Sequence, residues 1–164
     1  MAYPWLELRQ PLANGLRRVP WLAEMLRRLY RLGQPRFTAG VVGVIQNASH
    51  EILLVEHVFH PQHPWGLPGG WLQANEHPVD ALKRELREEA NLEIVVEGLL
   101  LVSRAERFHH LDIAYLCQSG NTVGELSAEL LDFRWTALDS LPREMAPFHR
   151  AAIAEAKRQR KFED

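Results

Sequence analysis

Apolar positions along the chain fall into two periods, one helical and one alternating, separated by polar turns. In residues 20–32, PWLAEMLRRLYRL, the side chains Leu22, Met25, Leu26, Leu29 and Leu32 recur at helical intervals and predict an amphipathic helix. Pro20 suits its first position, and Gly33 followed by Pro35 ends it. Residues 37–47, FTAGVVGVIQN, are rich in β-branched side chains and predict a strand; after a turn, residues 51–58, EILLVEHV, predict a second. HPQHPWGLPGGW, residues 60–71, reads as a loop with a short extended piece. A helix is expected at 78–90, then strands at 94–104, 111–118 and 132–137. The segment 144–161 closes the chain as a helix, with Pro147 in its first turn and a cationic end that complements the helix dipole. Strands and helices interleave without a regular βαβ repeat, so an α/β fold is expected, with a mixed sheet covered by helices on both faces.

Composition narrows the class. With 164 residues, 46% hydrophobic and 24% charged, the chain has the size and balance of one globular domain. Its single cysteine, Cys117, excludes an intrachain disulfide and reads as a buried strand residue. No apolar run approaches the roughly 18 residues of a membrane span, so a soluble, cytoplasmic protein is expected. Charge is unevenly spread. Residues 1–36 carry seven arginines against Glu7 and Glu24, a net of +5, and the rest carries 12 basic against 19 acidic residues, a net of −7. An acidic body argues against a nucleic-acid partner. The chain thus divides into a basic helical arm, 1–36, and a domain, 37–164. The arm's apolar stripe suits packing on the domain or on a second subunit, which makes a homodimer one of its arrangements; a membrane-surface helix is the less favoured reading.

The 78–90 helix carries the chemistry. At about 100° per residue, Leu82, Leu86, Val79 and Ala90 occupy an arc of roughly 0° to 80°. Glu88, Glu85 and Glu89 fall at roughly 240°, 300° and 340°, apart from most of the basic residues and beside the buried stripe. A solvated charged face is the plainer reading, but such faces usually alternate sign. Carboxylates gathered at the border of an apolar stripe are partly desolvated and call for a cation. Oxygen-only ligands suit Mg²⁺ or Mn²⁺. Upstream, GLPGG at 66–70 allows close backbone approach, Glu76 adds a fourth acid, His77 stands at the N-cap and Pro78 at the first helical position. Asn91 follows the last turn, where a left-handed residue is expected.

Gly70, five residues, Glu76, seven residues, Arg84-Glu85-Leu86, one residue, Glu88-Glu89, one residue and Asn91-Leu92 together resemble the Nudix box, G-x5-E-x7-R-E-U-x-E-E-x-G-U, with Asn91 in place of the second glycine. The flanking PWGLPGG and FRWTALDSLP also resemble Nudix domains, so the likeness covers roughly residues 37–153. It implies an α/β/α sandwich and a Mg²⁺- or Mn²⁺-dependent pyrophosphohydrolase. The substrate class is a small molecule, a nucleoside diphosphate linked to another group. Metal ligands would be Glu85, Glu88 and Glu89 with the Gly70 carbonyl. Arg84 would orient a neighbouring glutamate, and Glu76 would brace the loop. The resemblance also admits a catalytically silent domain that senses a nucleotide. Family members differ in their base: Glu129 stands where a loop acid often serves as extra ligand or base, and equally reads as a surface acid.

Other candidates stay open on both sides. Arg104 and Arg107 can contact phosphate or ribose, or sit on a solvated edge. Trp65, Trp71 and Phe108 can stack a base, or pack the loop. His57, His60 and His63 read first as surface histidines, then as neighbours of a polyphosphate site; a zinc site lacks further ligands. Subfamily signatures for ADP-ribose, diadenosine polyphosphates and NADH are absent around Arg107 to His110, which weakens three substrate assignments and favours none.

Overall fold

The computed structural model describes residues 9–105, 109–120 and 122–160. They form two compact units, residues 1–36 and 37–164. In the first, α1 (Arg9–Arg18) and α2 (Pro20–Leu32) are both helical, and neither contains a buried residue. The apolar stripe of α2 is therefore uncovered: Trp21 is 68% exposed and Leu29 56%.

The second unit is built on a seven-stranded sheet. Its elements are β1 (Thr38–Gln46), β2 (Ile52–His57), β3 (Trp65–Gly66), β4 (Gly69–Trp71), α3 (Pro78–Ala90), β5 (Ile94–Arg104), β6 (His110–Ser119), β7 (Leu130–Thr136) and α4 (Pro147–Arg160). The strand order is β3-β2-β1-β6-β5, with β4 paired to β1 and β7 to β2. Strands β1 and β6 run parallel from Thr38↔His110 to Gln46↔Gln118, and every other pair is antiparallel. The sheet is mixed, as the pattern of elements predicts. The loop at 60–71 holds two short strands where one extended piece is expected, and a 3₁₀ turn at Leu138–Ser140 is an addition.

Strand alternation sorts the core onto two faces. Val41, Ile45 and Leu53 pack with Leu82 and Leu86 of α3, while Val44, Ile52 and Leu54 pack with Ala152, Ile153 and Ala156 of α4. Adjacent residues of β1 and β2 thus serve opposite layers, which makes the α/β/α sandwich. Cys117 is buried on the α3 side.

Two details hold α3 in place. At its start, the His77 ring accepts a hydrogen bond from Val79 N–H at 3.3 Å, and Pro78 follows as the first helical residue. At its end, Asn91 is left-handed, φ 47° and ψ 39°. The final carbonyls are nearly all used. Asn91 N–H donates to Arg87 O and Leu92 N–H to Leu86 O, both at 3.1 Å; Ser127 N–H donates to Glu89 O and Gly124 N–H to Ala90 O, both at 2.8 Å. The helix end is therefore tied to the 122–129 loop.

Asn91→Gly should leave the melting temperature near wild type, because glycine reaches positive φ without strain. Asn91→Val should lower stability by about 1–3 kcal/mol, since a β-branched residue is a severe misfit there. Urea unfolding of both variants measures this, and equal midpoints would contradict the left-handed cap.

Candidate active site

The carboxylates of α3 form a graded series that follows the helical wheel. Glu88, farthest from the buried stripe, keeps 61% of its side chain exposed; Glu85 keeps 16%. Glu89, beside the stripe, is buried.

Arg84 holds the first two in place. Its Nε donates to Glu76 Oε1 at 2.8 Å and its Nη2 to Glu76 Oε2 at 2.9 Å, a two-pronged ion pair. Nη1 donates to Glu85 Oε1 at 2.8 Å and to Glu88 Oε2 at 3.2 Å, and Nη2 also donates to Trp71 O at 3.2 Å. The guanidinium's donors are all used. This binding pushes the Arg84 pKa upward, and it pulls Glu76 down to about 2, helped by the Gln73 N–H that Glu76 Oε2 accepts at 3.1 Å.

The GLPGG turn sits tight against this cluster. Gly69 has φ 151°, and a Cβ on it would lie 2.0 Å from Val41 O, so β4 can approach β1 only as glycine. A Cβ on Gly70 would lie 2.3 Å from the Glu85 carboxyl carbon. Strand β4 therefore meets the Glu85 carboxylate directly.

Glu89 is different in kind. Its Oε2 is buried without a hydrogen-bond partner. Burial, with Glu85, Glu129 and Glu88 adding repulsion, raises its pKa to about 8. Glu129 comes from a distant loop, placed by three backbone ties: Ser127 N–H to Glu89 O, Glu129 N–H to Ser127 Oγ at 3.3 Å, and Val58 N–H to Glu129 O at 3.0 Å. Among the described residues, no three side chains of His, Cys, Asp or Glu stand close enough to make a ready-made metal site. The donor set nonetheless fits a hard cation, because an orphaned, buried carboxylate oxygen stands among three further carboxylates. A divalent ion there would draw the Glu89 proton off and satisfy the orphaned oxygen.

These groups line one wall of a cleft of about 450 Å³ at the Gly40–Val42 portion of β1, with Gly70, Glu85, Glu89 and Glu129 together. The opposite wall carries His57, His60 and His149. His149, on α4, has no sequence signal of its own and is the residue that sequence reasoning misses. Its Nδ1 accepts from Leu67 N–H at 3.0 Å. Trp71, 62% exposed, packs edge-on against His110 at 4.8 Å between ring centroids. Trp65 does not line this cleft: it packs on the α4-side core with Arg134 over its ring at 3.9 Å. Arg104 is exposed at the end of β5, also away from the lining. Arg107 and Phe108 lie outside the described residues.

A layered α/β/α domain with clustered carboxylates facing an open cleft is the form of a hydrolase that handles polyanions. Residues 35–156 match the family model of the NUDIX domain, and the chain belongs to the Nudix hydrolase family. The MutT-like protein of Streptomyces ambofaciens is 24% identical over 122 residues, covering 74% of this chain and 78% of that one. A solved MutT NUDIX hydrolase from Burkholderia pseudomallei superposes with a TM-score of 0.64 at 26% identity, covering 74% of this chain and 98% of that one. A solved UDP-X diphosphatase shares the fold with a TM-score of 0.65 at 19% identity, and that match takes in 95% of this chain and 81% of the other.

Two measurements test the electrostatics. A raised carboxyl pKa stabilises the fold fully below its unfolded value of about 4.5, and that stability is lost as pH rises through about 8. Chelator-treated protein should therefore lose melting temperature across this window, and Glu89→Gln should flatten the decline. Arg84→Lys should cost about 1–3 kcal/mol in urea unfolding, because one ammonium cannot replace the fork that ties Glu76, Glu85 and Glu88; an unchanged midpoint would contradict its role as the hub.

Proposed function

We propose that this enzyme hydrolyses the diphosphate linkage of a nucleoside diphosphate joined to another group, using Mg²⁺ or Mn²⁺. One observation carries the reading: the buried, partnerless Glu89 Oε2 beside Glu85, Glu88 and Glu129. Glu85, Glu88 and Glu89, with the Gly70 carbonyl, would hold the cation. The bound cation neutralises the diphosphate and lowers the pKa of attacking water.

The chain's own residues do the positioning. Arg84 keeps Glu85 and Glu88 aimed from the helix, and Glu76 keeps Arg84 aimed by its two-pronged grip. Glu89, at its raised pKa, is poised to give up a proton when a cation arrives. Glu129, held at the rim by its backbone ties, serves as extra ligand or as the base that takes the water proton. Trp71, exposed at the cleft, offers a face on which a base can stack. The UDP-X diphosphatase match supports a nucleoside diphosphate derivative as substrate.

Phosphate release from a panel of nucleotides and nucleotide sugars tests this. Turnover should require Mg²⁺ or Mn²⁺ and vanish with EDTA. Glu88→Gln and Glu89→Gln should each lower it at least about a hundredfold, with circular dichroism unchanged. Full turnover in EDTA, or near-normal turnover in either variant, would overturn the reading.

A further inference from the structure

A substrate with a diphosphate brings several negative charges into the cleft. Among the described residues that line it there is no lysine and no arginine; the charged ones are Glu85, Glu89, Asp112 and Glu129. A cation at the carboxylate wall can neutralise only the oxygens that reach it. Anionic oxygens elsewhere need N–H donors, and the side chains able to donate are imidazoles.

The imidazoles divide by how they are used. His110 is occupied at both nitrogens: its Nδ1 lies 2.8 Å from Thr38 Oγ1 and its Nε2 3.2 Å from Asp112 Oδ1. His63 is a latch, with Nδ1 3.1 Å from Glu144 O, tying the β2–β3 loop to the segment before α4. That leaves His57, His60 and His149 on one wall. His57 stacks on His60 at 5.2 Å between centroids. His149 accepts Leu67 N–H at Nδ1, so in the neutral ring the proton sits on Nε2 and is offered as a donor. Burial and the neighbouring rings lower the pKa of His149 to about 4 and that of His57 in the same direction, so both are neutral donors at pH 7. The site is sterically built: a Cβ on Gly66 would lie 2.7 Å from His149 Nδ1 and 3.3 Å from His57 Nε2. Glycine before Leu67 is what lets two rings crowd against β3.

We infer that His57, His60 and His149 form an anion subsite that holds a phosphoryl group of the substrate lying outside the cation-bound linkage. This rests on the proposed diphosphate hydrolysis and names the part of the substrate that the opposite wall reads. Neutral N–H donors suit the task. They bind phosphate oxygens without forming ion pairs with Glu129 or Asp112 across the cleft, and they add no fixed charge that would slow release of an anionic product. The subsite favours substrates with a further phosphate, such as a nucleoside triphosphate, over those whose second group is a neutral sugar.

Two readouts on the full chain test this. The first is titration of ¹⁵N-histidine-labelled protein with inorganic phosphate at pH 7.5, followed by NMR. Resonances of His57, His60 and His149 should move, and that of His77 should not; absence of movement in the three rings overturns the subsite. The second is steady-state kinetics of His60→Ala and of His57→Gln/His60→Ala, which leave His149 and its contact to Leu67 intact. With a nucleoside triphosphate, KM should rise about tenfold for each donor removed while kcat stays within about twofold. With a nucleoside diphosphate sugar, KM should change little. Unchanged KM for both substrates, or an equal rise for both, overturns the assignment. Absence of turnover in wild type with Mg²⁺ removes the proposed hydrolysis, and the phosphate titration then decides the subsite alone.

Discussion

The guanidinium of Arg84 is the joint on which the site turns. It spends its donors on Glu76, Glu85, Glu88 and the Trp71 carbonyl, drawing together the loop before α3, the helix itself and strand β4. Three carboxylates near one another repel, and without a fixed cation they would splay into solvent. A planar fork can hold several at set angles, which a point charge on a flexible stem cannot. The arginine is partly shielded, at 20% side-chain exposure, so its ion pairs are less screened than surface ones.

Arg84 does not reach Glu89, and that omission matters. The neighbouring acids are neutralised by protein, while Glu89 keeps a raised pKa and a partnerless oxygen. Fold stability and function pull against each other here. A buried carboxyl without a partner is costly, and the rest of the domain has to tolerate it. The tolerance comes from the packing behind it: Leu82, Leu86 and Ala90 are fully buried against the sheet, and the helix end is tied to the 122–129 loop. The same ties deliver Glu129, so one set of backbone hydrogen bonds both caps the helix and completes the acidic wall.

The cleft that results is chemically lopsided. Carboxylates face imidazoles across it, and the two walls come from separate layers, α3 with the 122–129 loop on one side and the β2–β3 region with α4 on the other. Each layer has its own hydrophobic core, supplied by alternate residues of β1 and β2. The sandwich therefore fixes the distance between walls through packing that neither wall provides for itself.

Sequence alone determined what depends on local spacing. The limits of α3, the order of burial Glu89, Glu85, Glu88, the left-handed Asn91 and the Arg84–Glu88 pair all follow from angles on one helix and from the φ preference of one residue. Two short strands in the 60–71 loop were less legible, because runs of two and three residues carry no period. Tertiary structure decided what depends on distant segments meeting. His149 joins His57 only because α4 packs on the face away from α3, and nothing in its own neighbourhood of sequence marks it. Trp65, which from sequence can stack a base or pack the loop, takes the second role because Arg134 of β7 closes over its ring. The raised pKa of Glu89 likewise needed burial and the approach of Glu129, 40 residues onward in the chain. A helix sets which residues share a face; only packing sets what that face meets.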